Sequence, residues 1–417
     1  MSYWKVKLSL FINYFVFALL LNSVGTVILQ VQRTYGVSES SAAILEAFKD
    51  LSIAAISFLV ASFLTRIGYK KAMLTGLVAT AAMCLLMPSL DSFTGTKLLF
   101  LIIGLSFGLI KVSVFATMGL VTANQKEHIS LMSFIESFFM IGILSGYFIF
   151  TAFIDENNPS AWLQVYYWLA GLCLLAFLLL LTTPLDESAL KQEENRPILQ
   201  EFGEMFRLIL LPLVLVFVAC VFFYVLIEQS IMSWLPTFNN KVLRLPATLS
   251  IQMASILAIS TALGRFFSGI LVQKINWLVL LVGCLILAGG LVLITIPLAQ
   301  QATGAPITGW ADAPIAAFVF PIIGLLIAPI YPTINSLILS KLPVRQHATM
   351  SGLIVVFSAL GGTTGSIITG HIFEAFGGET AFYFSLVPMG VLIVLLIFYR
   401  KLQGGDGKVE IKSTAGH

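Results

Sequence analysis

Glu46, Lys49 and Asp50 stand three and four residues apart in a segment that is otherwise apolar. On a helix that spacing puts all three on one face, where Lys49 neutralises one carboxylate and leaves one acid over. A carboxylate without a counter-charge in apolar surroundings takes up a proton or a cation, because keeping the bare charge there is too costly. This is the chemistry of ion coupling. If the helix begins a turn later than its apolar run suggests, Glu46 falls in the headgroup region and Asp50 carries the role alone. Lys111, Glu136 and Glu228 are the other ionisable residues well inside long apolar runs. At the centre of a membrane helix each costs about 2.5 to 3.5 kcal/mol, so each needs a partner or a wet cavity.

Lys111 and Glu136 fall on neighbouring segments at depths of about 15 and 10 Å, at 1.5 Å per helical residue, so they can pair. The pair is either a structural salt bridge or a working one, in which Lys111 binds an anionic or hydroxyl-rich solute or releases Glu136 for protonation. Glu228, about 9 Å inside the end of its segment, is either a solute or proton ligand or a gate contact. In all, four acids face two bases. Asn13, Asn22, Gln30, Gln229, Trp234, Tyr331 and Asn335 supply amides and aromatic rings around them. Aromatic faces stack on sugar rings and amides bond hydroxyls, although the same amides also hold membrane helices together. Pro321, Pro329 and Pro332 interrupt the backbone hydrogen bonding of one segment, as a bending helix or a static kink would.

Other chemistries lack their residues. There is no GxxxxGK[ST] phosphate loop, so ATP is not the energy source of this chain. His128, His347, His371 and His417 sit at segment ends or in the tail, which leaves no central histidine, and no nucleophile elbow occurs. Neither an enzyme, a metal site nor a cofactor is expected, and no basic patch invites nucleic acid. Cys84, Cys173, Cys220 and Cys284 lie inside apolar segments without paired spacing and read as packing residues.

The segments that must carry these residues are set by the solvent. Hydrophobic residues make up 58% of the chain and charged ones 10%, against about 25% in soluble domains. Apolar runs of about 20 residues are long enough to cross roughly 30 Å of hydrocarbon, and unbroken runs of that length are helices, not barrel strands. Turn signals divide the chain into twelve spans: 8–30, 42–65, 72–90, 97–121, 129–153, 161–183, 207–234, 247–272, 277–298, 314–340, 348–371 and 380–400. Basic residues crowd the termini and the even-numbered loops, with Lys5, Lys7, Arg66, Lys70, Lys71, Lys126, Arg265, Lys274, Arg400 and Lys401 among them. The odd-numbered loops hold only Arg33, Lys97, Lys241 and Arg244. By the positive-inside rule both termini are cytoplasmic, and an even span count agrees. The basic start and long first run are an uncleaved span, because no small-residue cleavage site follows.

The hydrophilic stretch 184–206 separates an N-terminal six-helix bundle, 1–183, from a C-terminal one, 207–401, and 402–417 is a polar tail. The two halves repeat. Lys126-Glu127-His128 aligns with Arg345-Gln346-His347 at a shift of 219 residues, and the same shift places Gly142 on Gly361 and Gly146 on Gly365. A six-plus-six duplication is one established plan for transporters.

The loop FLTRIGYKK, Phe63 to Lys71, with Gly68 flanked by Arg66, Lys70 and Lys71, resembles the signature between spans 2 and 3 of the major facilitator superfamily. Leu263-Gly264-Arg265-Phe266 and the glycine-rich fifth and eleventh spans are similar to it as well. The resemblance covers nearly the whole chain and implies an all-α membrane fold of twelve helices in two pseudo-symmetric bundles, with these loop residues and Arg265 gating the cytoplasmic side. Thr65 stands where the signature carries an Asp, which implies a weaker latch. Phe223-Tyr224-Val225-Leu226-Ile227-Glu228 and Tyr331-Pro332-Thr333-Ile334-Asn335 resemble the fucose-galactose-glucose:proton symporter group, whose sugar permease has an Asp in span 1 where this chain has Asn13 and Asn22. The expectation is a monomeric secondary transporter of the inner or plasma membrane, moving a small polar solute such as a sugar together with protons through the lipid bilayer. The alternatives are a proton-antiport exporter of drugs or metabolites and a sensor that no longer transports.

Overall fold

A computed structural model describes residues 4–61, 67–121, 125–185, 187, 207–272, 274–300, 307, 309–339, 341 and 347–403. Span 1 consists of two helices, Trp4–Asn22 and Val24–Tyr35, that meet at Ser23. The Ser23 hydroxyl donates to Leu20 O at 2.7 Å, a local bond that competes with the helical ladder and bends it. Spans 2 to 6 are Glu39–Ala61, Tyr69–Leu90, Phe93–Val121, Gln125–Thr151 and Val165–Thr182. Span 7 is Pro212–Met232, continued beyond Ser233 and Trp234 as Leu235–Lys241; spans 8 and 9 are Ala247–Leu271 and Trp277–Gln300. Span 10 is broken into Ile315–Val319, Ile323–Ile327 and Ile330–Leu339, with Pro321 and Pro329 at the breaks, because proline has no N–H to give the ladder. Span 11 is His347–Phe376, and span 12 is Gly378–Phe384 followed by Leu386–Gln403.

Ten of these are long and apolar enough to cross a membrane on composition alone. The remaining two are spans 2 and 5. Span 2 fails because Glu46, Lys49 and Asp50 sit inside it, and of span 5 the apolar stretch is Ser137–Thr151. Outward-facing leucines and isoleucines such as Leu86, Leu178, Leu287 and Ile294 are more than half exposed, an apolar rim that water would not tolerate and lipid does.

The duplication reappears in the closest helix crossings. A methyl on Gly142 of span 5 would lie 2.7 Å from Phe15 O of span 1, and one on Gly361 of span 11 would strike Phe222 O of span 7. One turn on, Gly146 faces Leu19 O and Gly365 faces Leu226 O. Phe15 and Leu19 precede Phe222 and Leu226 by one constant interval. Spans 2 and 4 repeat as spans 8 and 10: Gly104 abuts Lys49 O as Gly324 abuts Leu257 O. Glycine at these points lets two backbones touch, the usual way membrane helices gain packing without a hydrophobic drive. Between the bundles, span 2 lies against span 11 and span 8 against span 5.

At the face carrying the termini, Gly68 has φ +90°, a left-handed conformation that favours glycine, and opens span 3. The Lys70 amide donates to Glu187 Oε1 at 2.7 Å, and Lys70 Nζ donates to Leu181 O at 2.9 Å and Thr183 O at 2.8 Å, satisfying carbonyls left open at the end of span 6. Lys71 is exposed beside it. Arg66, Thr65, most of the 184–206 stretch and the 404–417 tail lie outside the described residues. The four cysteines are free, three of them buried and Cys284 partly so.

Candidate solute and proton site

Span 2 begins at Glu39, earlier than the apolar run suggested, and this puts Glu46 about 10 Å inside its end. Glu46 is fully buried, and Lys49 is nearly so. Lys49 Nζ pairs with Glu46 Oε1 and lies 3.4 Å from Asp50 Oδ1, so one ammonium sits between two carboxylates. The other oxygen of Glu46, Oε2, accepts a hydrogen bond from Ser233 Oγ of span 7 at 2.8 Å. That bond crosses from one bundle to the other. Asp50 also points across: a methyl on Gly362 of span 11 would lie 2.6 Å from Asp50 Oδ2 and 3.2 Å from Gln229 Cγ. The charged face of span 2 is therefore sealed against the C-terminal bundle.

Beside this cluster lies a cavity of about 150 Å³ with two unlike walls. Phe139, Met140 and Ile143 of span 5 form an apolar wall; Glu228, Gln229, Thr261 and Arg265 of spans 7 and 8 form a polar one, with Asn22 of span 1 at the edge. Phe139 is held by Tyr14 and Phe107, whose ring centroids are 5.7 and 6.1 Å away. Glu228 Oε1 accepts from Tyr224 Oη at 2.8 Å and lies 3.4 Å from Arg265 Nη2. The Tyr224 ring rests on Tyr331, 5.5 Å between centroids. Arg265 thus stands on the cavity wall, not in a gating loop. Charge placement along the chain had put it at a helix end, but its helix continues to Leu271 and its long side chain reaches inward to a carboxylate. Counted along the spans, the charges inside them then stand at four acids against three bases.

The other expected site residues divide between cavity and packing. Asn22 and Gln229 line the cavity. Asn13 is fully buried and donates to Ser9 O at 2.7 Å, a contact within its own helix. Trp234 is buried at the end of the molecule away from the termini, where its indole donates to Ser366 Oγ at 3.1 Å and its ring faces Phe373 at 5.5 Å. Asn335 lies one turn beyond Tyr331 on span 10 and is partly buried. Lys111 is partly buried, 5.9 Å from the Phe107 ring centroid. Glu136 is on span 5, but its side chain lies outside what the structure describes, so the expected Lys111–Glu136 pair does too.

At the end away from the termini the two bundles are bound together. Lys241 Nζ pairs with Glu39 Oε1 at 2.5 Å, the Ser40 amide donates to Glu374 Oε2 at 3.0 Å, and Gln252 Nε2 donates to Thr151 Oγ1 at 3.4 Å. Sequence reasoning missed Ser233, Tyr224 and Thr261. A polar residue one turn beyond Gln229 is a helical-spacing signal for Ser233, whereas Tyr224 and Thr261 gain meaning only from a neighbouring span.

The sequence pattern described as Major Facilitator Superfamily matches residues 10–365. This chain belongs to the major facilitator superfamily. It is a transporter and not an enzyme, integral to a membrane and multi-pass. No curated protein matches it by sequence. Among solved structures, the nucleoside transporter NupG is similar at 17% identity and a TM-score of 0.71, over 97% of this chain and 100% of that one. The inward-open xylose transporter XylE from E. coli is similar at 15% identity and 0.70, over 99% and 97%. FucP in its outward conformation is similar at 17% identity and 0.61, over 96% and 99%. At these identities the likeness is one of fold.

Proposed function

We propose that this protein is a proton-coupled symporter of a small polar solute, with both termini in the cytoplasm of the inner or plasma membrane, working by alternating access. The observation that carries the reading is the buried Glu46, Lys49 and Asp50 cluster, which holds one negative charge too many and lies on the seam between the bundles. A proton neutralises it, and the seam is where alternating access must break and reform. The cavity next to it supports the solute side: its carboxylate, guanidinium and amides suit hydroxyls, and its Phe139 wall suits a ring. Sugars and nucleosides fit that description, and the xylose transporter XylE and the nucleoside transporter NupG move solutes of the same class. The ties at the end away from the termini support an inward-facing state.

A thermal-shift screen over sugars, nucleosides and organic acids at two pH values identifies the solute, because a ligand that binds the folded state raises its melting temperature. Proteoliposomes then test coupling. Accumulation should follow an imposed inward proton gradient and vanish in Asp50→Asn, while solute exchange survives. Accumulation indifferent to collapse of both the pH gradient and the potential would overturn the reading.

A further inference from the structure

Ser233 has one proton and two acceptors. Its Oγ stands 2.8 Å from Glu46 Oε2 on span 2 and 3.3 Å from Gln229 Oε1, one turn away on its own span. Gln229 in turn lines the cavity. A hydroxyl donates a single hydrogen bond and accepts two, so it serves the carboxylate or the amide oxygen, not both. A charged acceptor binds the proton about twice as strongly as a neutral one.

We propose that Ser233 is a positioning residue that transmits the protonation of Glu46 to the solute cavity by turning the Gln229 amide. The inference rests on the proton-coupled reading above. With Glu46 ionised, Ser233 donates to Oε2, and its lone pairs face Gln229, which then favours an amide N–H on that side and leaves the carbonyl for the cavity. With a proton on Oε2, the carboxyl becomes the donor to Ser233 Oγ, and the Ser233 O–H turns to donate to Gln229 Oε1. The amide now offers its NH2 to the cavity. No bond other than these hydrogen bonds changes, and Lys49 keeps Asp50, 3.4 Å away. The protonated cluster thus presents a hydrogen-bond donor to the solute, and the ionised cluster presents an acceptor. The acidic residues, basic residues and histidines on the spans around Glu46 are Glu39, Lys49 and Asp50 on its own span, Lys97 and Lys111 on span 4, Glu228 and Lys241 on span 7, Lys5, Lys7 and Arg33 on span 1, and His347, His371 and Glu374 on span 11. Of these Lys49 is in contact with it.

The test needs no solute, because protons are the probe. Infrared difference spectra of the full-length protein in lipid, taken between mildly acidic and mildly alkaline pH, read carboxyl protonation and side-chain amide shifts separately. The expected wild-type spectrum has a protonated-carboxyl band together with a glutamine amide shift that Gln229→Ala removes. In Ser233→Ala the carboxyl band persists and the amide shift is lost; in Ser233→Thr, which keeps the hydroxyl, the shift returns. A wild-type carboxyl band without the amide shift, or a shift that survives Ser233→Ala, overturns the relay and leaves proton coupling standing. Absence of the carboxyl band in the wild type overturns both.

Discussion

Replacing Lys49 with methionine keeps most of the side chain's volume and removes the one charge that holds two carboxylates together. At 3.4 Å and an effective dielectric of about 20, the Lys49 to Asp50 attraction is about 5 kcal/mol, and the closer contact with Glu46 adds at least as much. Most of that sum only repays desolvation, since the two side chains of the Glu46 pair are all but buried. What Lys49→Met reads is the charge it leaves behind, and breaking a buried pair this way typically destabilises by about 3 to 5 kcal/mol. The loss should grow as the pH rises, because protons that could stand in for the lysine become scarcer. It should shrink as the pH falls, because protons then replace the lysine. The triple variant Glu46→Gln, Lys49→Met, Asp50→Asn has no charge to strand and should recover to within about 1 kcal/mol of wild type, as neutral replacements of buried ion networks do. Equilibrium unfolding in detergent across pH measures all three proteins. A Lys49→Met stability within about 0.5 kcal/mol of wild type at neutral pH, the range of ordinary surface changes, would mean that the lysine does not neutralise the cluster.

Glu228→Gln takes the carboxylate from beside Arg265 and leaves Tyr224 a neutral acceptor in place of a charged one, so solute affinity in the thermal-shift assay should fall at least about tenfold, the equivalent of one lost charge-assisted bond; unchanged binding would remove Glu228 from the solute site. Gly142→Ala and Gly361→Ala should each destabilise by about 1 to 3 kcal/mol, because the new methyl meets backbone in the partner span, while Gly171→Ala, with nothing within 4 Å, should be silent.

Lipid made the spans legible. It demands apolar helices of fixed length, and that demand is written residue by residue. The repeat was legible through Gly142 and Gly361, since one constant shift superposes them and Gly146 on Gly365. The spacing of Glu46, Lys49 and Asp50 placed them on one face because the helical period is local information. What was not legible depends on which span lies opposite. Arg265 reads as a helix-end charge until span 7 brings Glu228 within reach, and Ser233 reads as an ordinary small residue until span 2 presents a carboxylate. Trp234 shows the converse. Its residue type suits a solute cavity, but the break after Met232 turns it into the seal at the far end.

The glycines of span 11 separate what is fixed from what moves. Gly361 and Gly365 face Phe222 and Leu226 of span 7, a contact inside one bundle that alternating access leaves intact. Gly370 faces the other bundle as well: a methyl there would lie 2.8 Å from Ala43 Cβ and 2.9 Å from Glu39 O of span 2, and 2.8 Å from Trp234 Cζ2. Gly370→Ala should therefore wedge the closed end apart, pressing on span 2 of the other bundle and on Trp234 of its own. A wedge of about 1 to 3 kcal/mol shifts the equilibrium between closed and open forms by roughly 5- to 150-fold. Ala42→Cys, at a position fully buried in the closed form, reports the change by its labelling with an impermeant thiol reagent added at that face. Labelling should rise in Gly370→Ala and stay at the wild-type rate in Gly361→Ala, even though the latter is destabilised by a similar amount. Equal labelling in the two variants would mean that span 11 does not slide against span 2, and the seam between the bundles would have to open elsewhere.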